Sequence, residues 1–422
     1  MLEDDTETAP IGHFSHAASG CGPLLPIPRE SRPLRQRLLE QLRACGFASR
    51  LDLARDLDVS PASVTATAAE LIGLGLILET PVPRDVGRGR PPVALSVSPS
   101  AYAVAGIKLS DEAHTAVIVD FAGNVTGEAT RPSTTRRRSI DETLFESEAL
   151  LDGALQAAGM SKSGLSGLGL GLPGIIDHER GLAVWSPILA QRDVDLADRL
   201  AERIGMPVAL DNDANLLTLA ELWFGAGRAL PDFAVVTIEH GVGMGLVINN
   251  RLFRGASGFG MELGHTKVAL DGALCRCGRR GCLEAYVADY ALVREARTNP
   301  TTGADAGESV RAMLQRLFAD AELGDAAARS IFERAGRHLA MGLSNVVQLF
   351  DPSLIILSGA QVRFATLYAD RVIAEMRTMT LETGRPVPVE VNAWGDMVWA
   401  RGAAAMALTS LTERIVGEHR AI

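Results

Sequence analysis

The segment from His265 to Glu284 constrains this chain more than any other. Three of its five cysteines, Cys275, Cys277 and Cys282, fall within eight residues, and His265 stands ten residues before the first. One imidazole and three thiols match the donor set of zinc, which takes four ligands tetrahedrally and favours thiolate. Gly278 and Gly281 let so short a loop fold back around an ion. With all four positions filled by protein, no water remains to activate, so a zinc ion here is structural. The plainer alternative is three buried free thiols, which metal analysis separates from it. Five cysteines are too few for a disulfide framework at this length.

Composition sets the outer limits. A chain of 422 residues predicts two or three domains, and 47% hydrophobic with 22% charged residues is enough to build sizeable cores. The net charge of -10 argues against coating of nucleic acid by the whole molecule. Between Ser31 and Ser98, however, nine Arg face seven Asp or Glu, so the negative excess lies elsewhere. No apolar run is long enough for a membrane span. The acidic start MLEDDTETAP lacks the basic head and apolar run of a secretory signal, so the expected compartment is the cytoplasm.

Patterning divides the chain in three. Residues 1–30, rich in Gly, Pro, Ser and acids, predict a mobile tail; His13, His16 and Cys21 are metal-capable residues within it. From Ser31, Leu34, Leu38 and Leu42 recur at helical spacing. Ser49 starts a second short helix. Ser60-Pro61 starts a third, as a capping hydroxyl followed by proline at the first helical position. Two short strands follow, Leu76–Glu79 and Val93–Val97, around a basic loop containing Arg88-Gly89-Arg90. Three helices and a hairpin with a basic tip predict a winged helix-turn-helix over residues 31–98. Residues 99–422 then alternate strands and helices, which predicts an α/β domain of two lobes.

Gly264-His265 followed by Cys275-x-Cys277-Gly278-x-x-Gly281-Cys282-x-Glu284 resembles the signature of the ROK family (repressors, open reading frames and sugar kinases). Further motifs fall in family order: Gly171-Leu172-Pro173-Gly174, Asp211 to Asn215, Glu262 to His265, and Asn345 to Ser358 with Asp351-Pro352. The resemblance implies an actin-like, ribonuclease-H-like fold of two lobes in a homodimer or homotetramer. Members with an N-terminal winged helix resemble sugar-responsive repressors. It also implies sugar contacts at Asn212, Asp213, Glu262, His265 and Glu284, and places Asp213 where the kinases carry their catalytic base. Carboxylates and amides of this kind suit vicinal hydroxyls. Glu262 and His265, three residues apart, would share one helical face, joining sugar to metal. The plainer reading of Glu262 and Glu284 is support of the zinc loop.

The chain departs from the kinase pattern on the phosphate side. Kinases of this family open with an acidic residue and Gly-Gly-Thr; here Lys108-Leu109-Ser110-Asp111-Glu112 stands instead. Carboxylates facing a polyanion at about 4 Å cost roughly 4 kcal/mol each at an effective dielectric of about 20. The second loop, Thr237 to Gly245, carries Glu239, His240 and Met244 where kinases tend to have Gly or Thr. The expectation is a non-enzyme in which Asp213 is a vestigial base. Ile188, where kinases usually show Asn, cannot hydrogen-bond a hydroxyl.

In the third helix Ser63, Thr65 and Thr67 lie off the buried stripe and are candidate DNA contacts, while Ala66 stands where related repressors often have Arg. Arg88 and Arg90 resemble the family's Gly-Arg-Gly-Arg-Pro wing, which suits a narrow, electronegative minor groove; their plainer reading is solvated loop charge. The functional expectation is a repressor of carbohydrate uptake and catabolism genes that binds double-stranded operator DNA and a sugar or sugar derivative. Alternatives are an active sugar kinase with an appended DNA-binding domain, and a regulator controlled by a partner protein.

Overall fold

The computed structural model describes residues 20–24, 32–81, 93–133, 137–256, 258, 260–298, 308–359, 368–381, 384–392 and 394–418. The head is built from α1 (Leu34–Cys45), β1 (Phe47–Ala48), α2 (Arg50–Asp56), α3 (Pro61–Gly73), β2 (Ile77–Pro81) and β3 (Val93–Val97). Its caps are those the sequence predicts. The Ser49 hydroxyl accepts from Asp52 N, and the Ser60 hydroxyl from Ser63 N with Pro61 next in the chain. Val64, Ala68 and Leu71 of α3 are buried with Leu38, Leu39 and Leu42 of α1. The head sheet has three strands in the order β1-β3-β2, because two-residue β1 adds to the edge of β3.

The first lobe contains β4 (Ala103–Lys108), β5 (Ala113–Asp120), β6 (Val125–Pro132), α4 (Ile140–Ala158), β7 (Leu168–Leu172), the small hairpin β8 (Ile175–Asp177) and β9 (Leu182–Trp185), α5 (Leu196–Ile204), β10 (Val208–Asn212) and α6 (Asp213–Phe224). The second lobe contains β11 (Phe233–Ile238), β12 (Val242–Ile248), β13 (Arg251–Phe253), α7 (Glu284–Val287), α8 (Asp289–Thr298), α9 (Val310–Glu322), α10 (Ala326–Phe350), β14 (Ile355–Ser358), α11 (Ala369–Met379) and β15 (Val389–Val391). The C-terminal helix α12 (Val398–Glu418) returns to the first lobe.

Both lobes repeat one topology. The first sheet runs β6-β5-β4-β7-β10 and the second β13-β12-β11-β14-β15. In each, an antiparallel meander of three strands continues into two parallel strands. This duplicated two-lobed α/β architecture is the actin-like fold expected from the sequence. The central strands β4, β7 and β11 are buried along their whole length, as strands covered on both faces must be. Gly106 lets α12 lie directly on the sheet: a Cβ there would stand 2.0 Å from the Ala400 carbonyl oxygen. No helix among the described residues is long and apolar enough to cross a membrane.

One expectation needs correcting. Gly20–Leu24 falls within the stretch read as a mobile tail, yet it is docked. Cys21 N donates to Arg43 O at 2.9 Å, Gly22 N to Trp223 O at 2.8 Å, and Leu24 N to Arg228 O at 2.7 Å. Cys21 is buried, its thiol donates to Ala122 O at 3.2 Å, and burial pushes its pKa up to about 11. It is a core residue, not a metal ligand of a tail. His13 and His16 lie outside the described residues.

Candidate functional site

The four zinc candidates converge. One donor atom from each of His265, Cys275, Cys277 and Cys282 lies within 4.8 Å of the others. Cys277 Sγ to Cys282 Sγ is 3.7 Å, and Cys275 Sγ to His265 Nδ1 is 3.7 Å. A tetrahedron with metal–sulfur bonds of about 2.3 Å has edges of about 3.8 Å, which these two distances match, so the donor set and its spacing fit the ion. The cluster is the zinc-binding motif typical of the family resembled above. Its loop is pinned by backbone bonds from Cys275 N to Arg279 O (2.8 Å) and from Val268 N to Gly281 O (2.9 Å).

His265 ties this cluster to the cleft. It closes a short 3-10 turn, Leu263–His265, capped by Glu262, in place of the helical turn expected. Its Nδ1 faces Cys275, while its Nε2 lies 4.0 Å from a Glu262 carboxylate oxygen. Met261, just ahead, takes φ of 68°, a conformation that side chains disfavour and that sites of function often hold. Burial raises the Glu262 carboxyl, as do the neighbouring charges of Asp213 and Glu284, while His265 opposes them. Glu284 is largely occupied: its carboxylate accepts from Tyr290 Oη at 3.3 Å and Val242 N at 3.4 Å, and lies 3.5 Å from Cys275 Sγ. That geometry suits support of the metal loop better than direct contact with a ligand.

Asn212 and Asp213 sit where β10 passes into α6. The Asn212 side-chain oxygen caps the helix by accepting from Asn215 N at 2.8 Å, which leaves its amide nitrogen for a ligand. Asp213 occupies the first helical position, and burial raises its carboxyl; Lys108 acts against that rise. Asp211, immediately before, was not singled out from the sequence. It is buried, accepts from Arg254 Nε (2.8 Å) and Asn215 Nδ2 (2.7 Å), and forms an ion pair with Arg254 Nη2 (2.7 Å). Arg254 follows β13, so this pair joins the lobes beside the site. Ile188 is a core residue of the first lobe.

The phosphate side has a different character. Lys108 is buried with Nζ 3.5 Å from the centroid of Trp399, a close cation–π contact. Ser110 folds the β4–β5 turn on itself, its hydroxyl donating to Ala113 O and accepting from Ala113 N. Asp111 and Glu112 of that turn face His240 of the β11–β12 turn at 3.7 and 3.5 Å. His240 Nδ1 also lies 3.1 Å from Asp289. The hydrogen bond to Asp289, followed by the charges of Asp111, Asp289 and Glu112, raises His240 to about 9.

In the head, Thr65 is exposed, and Ser63 and Thr67 are half-buried on α3. Ser63 Oγ shares a hydrogen bond with Ser60 Oγ, and the Thr65 hydroxyl donates to Pro61 O, so both hydroxyls are engaged within their own helix. Arg88 and Arg90 lie outside the described residues.

Residues 104–410 match the ROK family. A putative xylose repressor of Caldicellulosiruptor sp. is 29% identical over 383 residues, covering 86% of this chain and 92% of the relative. Among solved structures, a ROK family transcriptional regulator homologous to the E. coli MLC protein superposes with a TM-score of 0.77. It is 24% identical, with 91% of this chain and 97% of that one covered. A ROK family glucokinase from Streptomyces griseus, in complex with glucose and AMPPNP, gives a TM-score of 0.62 at 29% identity. That match covers 99% of the glucokinase but 73% of this chain. The chain therefore belongs to the ROK family, in the form that carries a small additional domain ahead of the two lobes.

Proposed function

We propose that this protein is a cytoplasmic transcriptional repressor of carbohydrate genes. In this reading it binds operator DNA as a homodimer or homotetramer and responds to a sugar held between its lobes. The observation that carries the non-enzymatic reading is the pair of carboxylates, Asp111 and Glu112, set against His240 between the two phosphate-side turns. A nucleotide polyphosphate entering there meets two negative charges and must displace His240 from them. Asp213 in this reading is a vestigial base that holds a hydroxyl without transferring a phosphoryl group. Its neighbour is the Lys108 ammonium, where the kinases carry an acidic residue.

The sugar contacts are assigned to Asn212, Asp213 and Glu262, with His265 orienting Glu262 from the metal side and Glu284 bracing the loop. Zinc, when bound by His265, Cys275, Cys277 and Cys282, supplies structural cross-linking. DNA contacts are assigned to Ser63, Thr65 and Thr67 of α3 and to Arg88 and Arg90 of the wing. The putative xylose repressor, similar over nearly its whole length, supports this reading, and so does the kinase match that leaves the head uncovered.

An ATP-turnover assay over D-xylose, D-glucose and N-acetylglucosamine, paired with genome-wide mapping of bound DNA, tests it. No turnover, with sites beside transport and catabolic genes, is expected; turnover at ordinary kinase rates without site-specific DNA binding sinks it. A second reading, control by a partner protein without a sugar, is favoured by Ile188, whose apolar side chain is packed in the core. Calorimetry with the same sugars separates the two.

A further inference from the structure

Helix α6 carries the candidate sugar site at one end and the attachment of the head at the other. Asn212 caps its start and Asp213 opens it. Twelve residues later, about 18 Å at 1.5 Å per residue, it ends in a socket that grips α1. The Trp223 carbonyl accepts from Gly22 N at 2.8 Å. Arg228, just beyond, donates to Gly22 O (3.0 Å) and to Ala44 O (2.7 Å) at the last turn of α1.

Arg43 of α1 fills the socket and is 3% exposed. Its Nε donates to Phe121 O at 3.0 Å and its Nη2 to Thr412 Oγ1 at 3.3 Å. Its guanidinium carbon stands 4.8 Å from the Phe121 ring and 5.7 Å from the Trp223 ring. No carboxylate pairs with it among the described residues. A buried cation held by aromatic faces and neutral acceptors forfeits hydration without the return of an ion pair. An apolar side chain would pack here without direction, whereas a planar guanidinium hydrogen-bonded to Phe121 O and Thr412 Oγ1 both holds α1 and fixes the direction in which it leaves the sensor.

The body of α6 is packed on every side. Residues Ala214 to Trp223 are all buried. Thr218 lies where a Cβ on Gly245 of the second lobe would come within 2.0 Å, so the helix also touches the other lobe directly. Helix α6 is thus packed along its length and in contact with both lobes.

We infer that α6 is a rigid lever and that Arg43 is the positioning residue through which the occupancy of the cleft reaches the DNA-binding head. This rests on the sugar-responsive reading above. The test uses the full chain, operator DNA from the genome map, and whichever of D-xylose, D-glucose or N-acetylglucosamine binds. Coupling is the ratio of operator Kd with and without sugar, and about 5–150-fold is ordinary for such systems. Arg43→Met keeps the stem and removes the fork. It is expected to leave the sugar Kd and the sugar-free operator Kd close to wild type and to bring the coupling ratio close to one. Trp223→Phe weakens the other wall of the socket, and its effect on coupling combined with Arg43→Met is expected to be non-additive. Wild-type coupling in Arg43→Met, or strict additivity, overturns the lever.

If no sugar alters operator binding by the wild type, the sugar-responsive reading fails by itself. The lever is then decided by calorimetric unfolding without ligand. One transition in the wild type that splits in Arg43→Met, with the head melting first, supports it. An unsplit transition at the wild-type temperature overturns it.

Discussion

Arg254→Met isolates the contact that joins the lobes beside the candidate site. The Asp211 side chain is 1% exposed and that of Arg254 25%. Removing the guanidinium takes the Nε hydrogen bond and the Nη2 ion-pair contact from Oδ2, leaving His178 Nδ1 at 3.6 Å, while Oδ1 keeps Asn215 Nδ2 and Asn212 N. Breaking a fully buried pair from one side costs about 3–5 kcal/mol. Water reaches the partly exposed arginine position, which brings the expectation down to about 2–3 kcal/mol. At about 2.1 cal/mol/K per residue, the unfolding entropy of this chain is about 0.9 kcal/mol/K, so the melting temperature falls by about 2–3 °C. Differential scanning calorimetry resolves that shift, and urea unfolding gives the free energy independently. Asp211→Asn combined with Arg254→Met removes the stranded charge and is expected to recover most of the loss. A single variant as stable as wild type, or a double variant that loses the sum of both single effects, refutes the reasoning.

Three further outcomes follow from the site. Zinc is expected at one ion per chain by native mass measurement; Cys282→Ser, at a fully buried ligand position, should lose it and unfold at lower temperature, and metal content unchanged by that variant contradicts the closed four-ligand site. His240 is raised from 6.5 to about 9 in the fold. Its stabilising contribution is therefore complete below about pH 6.5 and lost as pH climbs through about 9. Thermal unfolding of His240→Gln should show a shallower decline than wild type between pH 6.5 and 9.5, and parallel curves count against the contacts with Asp289, Asp111 and Glu112. Replacing Arg88 and Arg90 together with Ala should weaken operator binding and reduce the salt slope by about two, one for each phosphate no longer neutralised; identical slopes dismiss the wing from DNA binding.

The fold was largely legible because its signals are local. Ser60-Pro61 marks the start of α3, Ser49 marks that of α2, and Leu34, Leu38 and Leu42 recur along α1 at helical spacing. The zinc ligands were legible because all but His265 sit in one short loop. What stayed hidden depends on long-range packing. Strand β1 is two residues long and exists only as an edge of β3. Gly20–Leu24 has no periodicity, and its order comes from acceptors at Arg43, Trp223 and Arg228, up to about two hundred residues away. Asp211 looked like part of the Asp213 motif, and its partner Arg254 lies 43 residues on in a segment with no pattern. The facing of His240 by Asp111 and Glu112 is likewise a property of two turns from different lobes brought together, although the charge of both turns was readable.

The central claim is that a kinase-like cleft here governs DNA binding instead of phosphoryl transfer. Its most direct measurement is an anisotropy titration of the full-length protein on operator DNA from the genome map, at fixed salt. The titration is run with and without the sugar that binds in calorimetry, and ATP consumption is followed in the same samples. The account predicts site-specific binding that the sugar weakens at least about fivefold while ATP stays intact. Operator affinity indifferent to every sugar that binds, together with ATP consumed at about 1 s⁻¹ or faster, would contradict it.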